Sequence, residues 1–327
     1  MTTLGSEPTH AGAVITAPQT PAVTEVRTAA EPATPATIQP GQRLAQRVLD
    51  WWVASDIRTE RDRLPWRAPD TDPWLILVSE VMLAQTQVSR VADFYPAFVA
   101  RFGSPAALAA QPLAEVLRAW QGLGYPRRAA TLHQCAGLLA SAHGGRVPDG
   151  LASLLALPGV GPYTARAVLA FAYDRCIMPI DTNIGRVLAR VAGRPLSSPE
   201  AQAIGDSMAI DGRQSALALM DLGATLCRRR APRCAQCPLG EDCSWAGLQG
   251  PDPAVGSAAA PKAQGRFVGS DREGRGRLLR AAGIGPLADP VAAAGWPDDP
   301  ERAARVAGKL VREGLLSIDA EGRYVLG

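Results

Sequence analysis

Apolar residues recur at helical spacing through most of the first two thirds of the chain. The first such stretch, QRLAQRVLDWWVAS, places Leu44, Val48 and Trp52 on one side of a helix. Short joints containing Gly or Pro separate the stretches, and none alternates like a half-buried strand. This pattern predicts an all-α core with helices over 41–55, 73–87, 89–101, 105–110, 112–121, 126–142, 150–156, 162–173, 182–192, 198–210 and 213–226.

Two segments interrupt this pattern. Residues 1–40 are rich in Ala, Thr and Pro and have no period, so we expect a disordered tail. The tail has no basic start leading into an apolar stretch, so a secretion signal is not expected. Residues 250–265, GPDPAVGSAAAPKAQG, have the composition of a linker.

Residues 266–327 form a small C-terminal region. They predict helices over 275–282, 288–295 and 300–314, followed by a hairpin, LLSIDAEGRYVL, that turns at Glu321 and Gly322. Three helices and a hairpin make a winged-helix-like shape, which binds either DNA or a protein partner. The third helix carries four basic residues mixed with acidic ones, so the sequence leaves both partners open; they are Arg302, Arg305, Lys309 and Arg312.

Charge is nearly balanced over the 327 residues, with a net charge of +3. No apolar run reaches about 18 residues, so no membrane contact is expected. The basic residues are unusual in kind. Of 34 lysines and arginines only Lys262 and Lys309 are lysine, so the predicted helical core contains no side-chain amine.

Four cysteines stand close together in CRRRAPRCAQCPLGEDC, at Cys227, Cys234, Cys237 and Cys243. Disulfides fit poorly in a chain for which no secretion signal is expected. Structural zinc sites usually present two short Cys pairs, whereas here one short pair lies between two single cysteines. Four thiolates in one compact loop favour a [4Fe–4S] cluster, and zinc remains the alternative.

A second motif, LPGVGPYT, lies between two short predicted helices. Gly159 and Gly161 allow a tight turn, and Pro162 suits the first turn of the following helix. The free N–H groups at such a helix start bind phosphate. The motif predicts a helix-hairpin-helix element that grips a DNA backbone; a plain packing joint between helices is the alternative.

Two carboxylates stand out from their surroundings. Glu80 lies in WLILVSEVML, a helix that is apolar on all sides, so burial is expected to favour its protonated form, as a general acid requires. The alternative is a structural Glu paired with an arginine. Asp181 in PIDTN precedes a helical stretch, so it is a candidate for helix capping as well as for catalysis.

Over residues 41–245, these motifs together resemble the endonuclease III superfamily of DNA glycosylases. LPWR at 64–67, VSEVMLAQTQV at 78–88 and Tyr163 match its MutY-type adenine DNA glycosylases. The resemblance implies an all-α, two-lobed helix-hairpin-helix glycosylase. Its lobes would be a cluster domain, 41–66 with 175–249, and a six-helix barrel domain over 67–174, with the winged-helix-like domain beyond the linker.

The resemblance also implies roles for single residues. Glu80 would protonate adenine, Asp181 would stabilise the positive sugar, Tyr163 would sit close by, and Asn183 would support Asp181. Cys227, Cys234, Cys237 and Cys243 would hold a structural [4Fe–4S] cluster. The cluster would brace a phosphate-contacting loop made of Arg228, Arg229, Arg230 and Arg233.

Further residues would handle the DNA. Gln85 and Tyr125 would wedge into the duplex, and Thr86 and Leu123 would lie beside the opposing guanine. Trp66 and Arg67 would shape the adenine pocket. Ala84 departs from the family pattern, which has a second glutamine at that place, and this weakens the expected contacts of the wedge.

The expected partner is double-stranded DNA with an A:8-oxoguanine or A:G mispair, bound by a monomer at the nucleoid in a bacterial cytoplasm.

Endonuclease III has a lysine in the place of Tyr163. Without one, the enzyme is expected to be monofunctional, with no lyase step. Two alternatives stay open: a thymine or uracil mismatch glycosylase, which would not be expected to keep Glu80, and a non-enzymatic iron–sulfur DNA-binding protein.

Overall fold

Helices make up most of the described chain. The computed structural model describes residues 40–246, 250–260 and 265–327. The predicted tail lies outside these residues except for Pro40, and so do residues 261–264 of the predicted linker. The core helices are α1 (Pro40–Ala54), α2 (Asp56–Arg61), α3 (Pro73–Leu83), α4 (Val88–Arg101), α5 (Pro105–Ala109), α6 (Leu113–Ala119), α7 (Arg127–Ala142), α8 (Leu151–Leu155), α9 (Pro162–Tyr173), α10 (Thr182–Ala192), α11 (Ser198–Ser207) and α12 (Gly212–Thr225).

The core helices pack as two groups. Helices α3 to α9 form one group, and α1 with α10, α11 and α12 forms the other. Helices α9 and α12 contact each other and join the groups. The all-α core predicted from hydrophobic spacing is confirmed, and the described residues up to 260 contain no strand.

Helix α3 runs through the interior of the first group. Asp72 caps it by accepting a hydrogen bond from the Trp74 N–H over 2.8 Å, and Pro73 occupies its first turn. The helix is apolar all round, and most of its side chains are buried, Leu77 and Met82 completely. The burial predicted for this segment is therefore confirmed.

Some helix boundaries differ from the prediction. Helix α3 ends at Leu83 and not at 87, because Gln85 adopts a left-handed backbone with a φ of 61° that no α-helix accommodates. Helix α2 was not predicted; it buries none of its side chains, so it has no apolar period to reveal it.

The glycine motif forms a turn between α8 and α9. Gly159 has a φ of 76°, and a Cβ there would lie 2.5 Å from Cγ2 of Thr131, so this position requires glycine. Gly161 is extended, with a φ of −91°, which any residue can adopt. The expectation that both glycines make the turn therefore holds for Gly159 alone. No side chain caps α9, which leaves N–H groups at its start without an intrahelical partner.

The C-terminal region contains the predicted three helices and hairpin. They are α13 (Asp271–Ile284), α14 (Pro290–Ala294), α15 (Pro300–Arg312), β1 (Leu316–Ile318) and β2 (Tyr324–Leu326), and the strands pair antiparallel. Helix α13 contacts α6 of the core, where Arg118 Nε donates to the Gly283 carbonyl over 3.2 Å. No helix in the described residues is long and apolar enough to cross a membrane.

Candidate active site

A pocket of about 550 Å³ brings residues from both helix groups together. Glu80 comes from α3 and Tyr163 from the first turn of α9, while Asp181 stands directly before α10. The hydrophobic spacing of the three segments did not indicate that Glu80, Tyr163 and Asp181 lie in one pocket. The remaining predicted residues in this pocket are Trp66, Arg67, Gln85, Thr86 and Asn183.

Glu80 is nearly inaccessible, with 6% of its surface exposed. The Tyr163 hydroxyl donates a hydrogen bond to its Oε2 over 2.9 Å. Burial raises the pKa of Glu80 to about 7, the Tyr163 hydrogen bond opposes that rise, and the nearby negative charge of Asp181 adds to it. Glu80 forms no ion pair with any described residue, so the alternative of a structural Glu–Arg pair is not observed.

Asp181 caps α10, as one of its two sequence-based interpretations expected. Its Oδ1 accepts from the backbone N–H groups of Asn183 and Ile184 over 2.9 and 2.7 Å. Its Oδ2 accepts from the Asn183 side-chain amide over 2.9 Å. Burial raises the pKa of Asp181, and these three hydrogen bonds oppose the rise. The side chain is thereby held in one orientation at the pocket.

Sequence reasoning missed Asp221. It is 2% exposed on α12 and accepts two hydrogen bonds from Arg67, over 2.7 and 2.9 Å. The Trp52 indole N–H adds a third, over 3.0 Å. The signal was present, because Asp221 directly follows the apolar run ALALM, and Glu80 likewise follows WLILV after one serine. The arginine pairing considered for Glu80 belongs to Asp221, and it fixes Arg67 in the pocket wall.

Arg186 was also missed. Its guanidinium donates to the Asn183 side-chain oxygen over 2.8 Å and to the carbonyls of Gly223 and Cys227, each over 2.7 Å. Since Asn183 in turn donates to Asp181, a continuous chain of hydrogen bonds joins Asp181 to the backbone of the first cysteine.

Two loops meet beside the pocket. The Thr86 hydroxyl donates to the Leu123 carbonyl over 3.3 Å, and Arg128 donates to the carbonyls of Ala84 and Leu123 and to the Thr86 hydroxyl. Arg128, which sequence reasoning missed, therefore fixes one loop against the other. The Leu123 side chain is buried, so its backbone is what faces Thr86.

Both predicted wedge residues have strained backbones. The φ of Gln85 is 61° and that of Tyr125 is 48°, values that non-glycine residues rarely adopt. They lie on the two loops that Arg128 joins. Such strain persists only where the surrounding contacts impose it, and it gathers at functional sites.

The four predicted cysteines surround one small cavity, which Arg190 and Trp245 help to line. Arg190 donates to Sγ of Cys227 over 3.3 Å, and burial raises the pKa of Cys237 to about 11. Among the described residues, no group of three His, Cys, Asp or Glu side chains could hold a single metal ion. The four cysteines therefore gather around one cavity.

The predicted phosphate-contacting arginines divide into two sets. Arg229, Arg230 and Arg233 are exposed. Arg228 is half-buried and folds back, donating to the Ala231 carbonyl over 3.0 Å. This local hydrogen bond competes with any phosphate contact by Arg228, so the exposed face of the loop is made by the other three.

The segment predicted as a linker packs against α10 and lines the pocket. Asp252 accepts a bidentate pair of hydrogen bonds from the buried Arg190, over 3.1 and 2.6 Å. Ala259 lines the pocket of Asp181 and lies against Gly185. A Cβ added at Gly185 would lie only 2.3 Å from the Cβ of Ala259. Composition alone gave no indication of these contacts.

Comparison with known proteins places this arrangement in a class. Residues 78–203 match the family model of the HhH-GPD superfamily of base excision DNA repair proteins. A solved thermostable thymine-DNA glycosylase is 28% identical, with a TM-score of 0.56 over 63% of this chain and 96% of that one. Endonuclease III in a trapped covalent complex with DNA, 21% identical, shares the fold with a TM-score of 0.52 over 63% of this chain and 96% of its own. The fold and the site thus define a helix-hairpin-helix base excision repair glycosylase.

The sequence relatives are more specific. An adenine DNA glycosylase of Mycobacterium tuberculosis is 42% identical over 293 residues, which cover 85% of this chain and 92% of that protein. The chain belongs to the adenine DNA glycosylase family.

Proposed function

We propose that this protein removes adenine from DNA where adenine is mispaired with 8-oxoguanine or guanine, acting as a monofunctional monomer in the cytoplasm. One observation carries the proposal: a buried carboxyl group with a pKa of about 7 shares a pocket with a second, capped carboxylate of a different environment. Pairs of acids in unlike surroundings are the general arrangement for glycosidic bond cleavage.

Glu80 supplies the proton. Near neutral pH a large fraction of the buried Glu80 is protonated, so it can donate to a ring nitrogen of an adenine held in the pocket. Protonation makes adenine a better leaving group, and the electrons of the glycosidic bond leave with the base. Trp66 forms part of the wall against which the base lies, and so does Arg67, whose guanidinium Asp221 holds in place.

Asp181 stabilises the positive charge that bond breaking leaves on the sugar. Its helix-cap hydrogen bonds and Asn183 hold it in place, and Arg186 holds Asn183. Water then adds to the sugar carbon and releases a proton, which leaves an abasic site and free adenine. An attacking amine is absent from the described core, so the strand remains intact.

Gln85 and Tyr125 open the duplex. Gln85 lines the pocket, and Tyr125 lies on the neighbouring loop that Arg128 holds against the loop of Gln85. Their two side chains replace the stacking of the extruded adenine. The free N–H groups at the start of α9 and the exposed Arg229, Arg230 and Arg233 contact phosphates and hold the duplex in register.

Cys227, Cys234, Cys237 and Cys243 would hold a [4Fe–4S] cluster. The four cysteines surround one cavity, and their spacing, one short pair between two single cysteines, supports the cluster. Its role would be structural: the cysteines that hold it would brace the arginine loop, and Arg186 links the Cys227 backbone to Asn183, which supports Asp181.

The test is release of free base from duplexes that carry one A:8-oxoguanine, A:G or T:G pair. We expect adenine from the first two and no thymine from the third. Thymine release without adenine would identify a thymine mismatch glycosylase, and binding without release of any base would identify a DNA-binding protein.

A further inference from the structure

A groove of about 650 Å³ separates the loop that carries Tyr125 from helix α13 of the C-terminal region. Its floor is largely apolar, formed by residues such as Trp120 and Leu279. None of its described lining residues is Asp or Glu. Five of them are arginines, namely Arg90, Arg127, Arg272, Arg275 and Arg280.

Most of this positive charge is not neutralised. Arg275 pairs with Glu313. Arg90 donates to the uncharged carbonyl of Gly122, and Arg127 and Arg280 are exposed. Arg90, Arg127 and Arg280 form no ion pair within the described part of the chain. In a protein with 34 basic and 31 acidic residues, a groove without acids is a local feature and not an effect of composition.

Two of the four basic residues on the third helix of the C-terminal region are neutralised within the protein. Arg302 and Arg305 of α15 both pair with Asp271 of α13, over 2.8 and 3.0 Å. The sequence had pointed to the basic residues of α15 as the possible DNA contact. Because these two charges are satisfied internally, the face of α15 that carries them offers little to a polyanion.

The walls of the groove are held together by direct contacts. Arg118 donates to the carbonyl of Gly283, and the Gln121 side chain donates to the carbonyl of Leu279 over 3.5 Å. Both acceptors lie on α13, and both donors adjoin the loop of Tyr125. The packing of α13 against the core therefore sets the distance between the backbone positions of Arg127 and Arg280 before a ligand binds.

We infer that this groove binds the phosphate backbone of duplex DNA beside the base pair that Tyr125 opens, which makes the C-terminal region a DNA-binding module. The inference rests on the proposed function, since Tyr125 lines the groove as well as serving as a wedge. Arginines that mostly lack an acidic partner suit a phosphodiester chain, and the groove adjoins the loop of Tyr125, where the proposed function places the duplex. Contacts to phosphates supply affinity without reading sequence.

The experiment compares two double variants of the full chain, each of which loses two positive charges. In Arg127→Ala/Arg280→Ala both charges lie in the groove. In Lys309→Ala/Arg312→Ala both are exposed on α15, outside it. Dissociation constants for a duplex with one A:8-oxoguanine pair are measured across a salt series, with thermal unfolding as a check on folding.

We expect the groove variant to bind at least about tenfold more weakly and to reduce the slope of log affinity against log salt by about 2, since each phosphate contact contributes about 0.9. The α15 variant should keep the wild-type slope. If the groove variant were unstable, Arg280→Gln alone should lower the slope by about 1.

An unchanged slope in the groove variant, or a loss confined to the α15 variant, would overturn the inference and leave the groove to a protein partner. Failure of the proposed function looks different. In that case the wild type would release no adenine, yet the groove variant would still lower affinity and slope for any duplex.

Discussion

The phenol of Tyr163 donates a hydrogen bond to Glu80 Oε2 over 2.9 Å, inside a pocket that also contains Asp181. Burial pushes the pKa of Glu80 upwards, and this hydrogen bond, which favours the carboxylate, holds the rise to about 7. The pair therefore keeps an acid that is still protonated near neutral pH and can still give its proton up.

Replacing Glu80 with Gln should abolish base excision. The amide keeps the shape of the side chain but cannot donate a carboxyl proton, and loss of a general acid typically costs about 100- to 10,000-fold. Single-turnover release of adenine from an A:8-oxoguanine duplex measures the rate, and gel-shift titration should show binding retained. A wild-type rate in this variant would remove Glu80 from the mechanism.

The free energy of unfolding of Glu80→Gln shows whether that variant is correctly folded. The folded protein binds more protons than the unfolded chain between the ordinary pKa of 4.5 and the raised value of about 7, so Glu80 lowers stability progressively as pH rises through this window. Above pH 7 the full cost is roughly 3 kcal/mol. Urea unfolding at pH 8 should accordingly show Glu80→Gln to be more stable than wild type.

Replacing Tyr163 with Phe should move the pH profile. The Tyr163 hydrogen bond lowers the pKa of Glu80, so its removal raises that pKa further. Excision needs the protonated acid and falls as pH rises through the pKa, so the alkaline limb of single-turnover rate against pH should shift to higher pH. If the alkaline limb stays near pH 7 in this variant, the group that titrates there is not controlled by the hydrogen bond between Tyr163 and Glu80.

Asp181 should show separable catalytic and structural parts. Asn retains an oxygen that can cap α10, so Asp181→Asn should fold with nearly wild-type stability but lose most excision activity, because the charge is gone. Asp181→Ala should lose the cap as well, at about 0.5–2 kcal/mol. Equal activity of Asp181→Asn and wild type would show that the residue serves only as a cap.

The cysteine loop should contain iron. Protein purified without oxygen should be brown, absorb broadly in the visible blue, and carry close to four irons per chain. Cys237→Ser should yield poorly soluble protein, while Cys135→Ser, a buried cysteine outside the loop, serves as the control that keeps its iron. Stoichiometric zinc without iron would contradict the cluster.

The missing lysines predict an intact product strand. Borohydride traps an imine only if an amine reaches the opened sugar, and the pocket offers the Tyr163 phenol at that place. Strand cleavage should therefore require alkali or an added abasic-site nuclease. Tyr163→Lys should create trapping where wild type shows none; efficient trapping by wild type during normal turnover would contradict a monofunctional enzyme.

Local sequence determined much of the fold. Helical spacing located eleven of the core helices within a few residues, since an amphipathic or wholly apolar segment has a limited choice of structure. Glu80 was conspicuous because a carboxylate in an apolar run is costly unless it has a task. The turn at Gly159 and the cap at Asp181 are likewise properties of a few consecutive residues, so they could be read directly.

Tertiary structure decided which of these residues meet. Asp221 pairs with Arg67, which lies 154 positions away in the sequence. Asp252, the partner of Arg190, lies in a segment whose composition indicated only a linker. The acid-free groove exists because α13 lies against α6, far away in sequence. The hydrophobic period of a segment indicates which of its own side chains are buried. The partner of each charged side chain depends instead on how distant helices pack together, and no local sequence pattern contains that information.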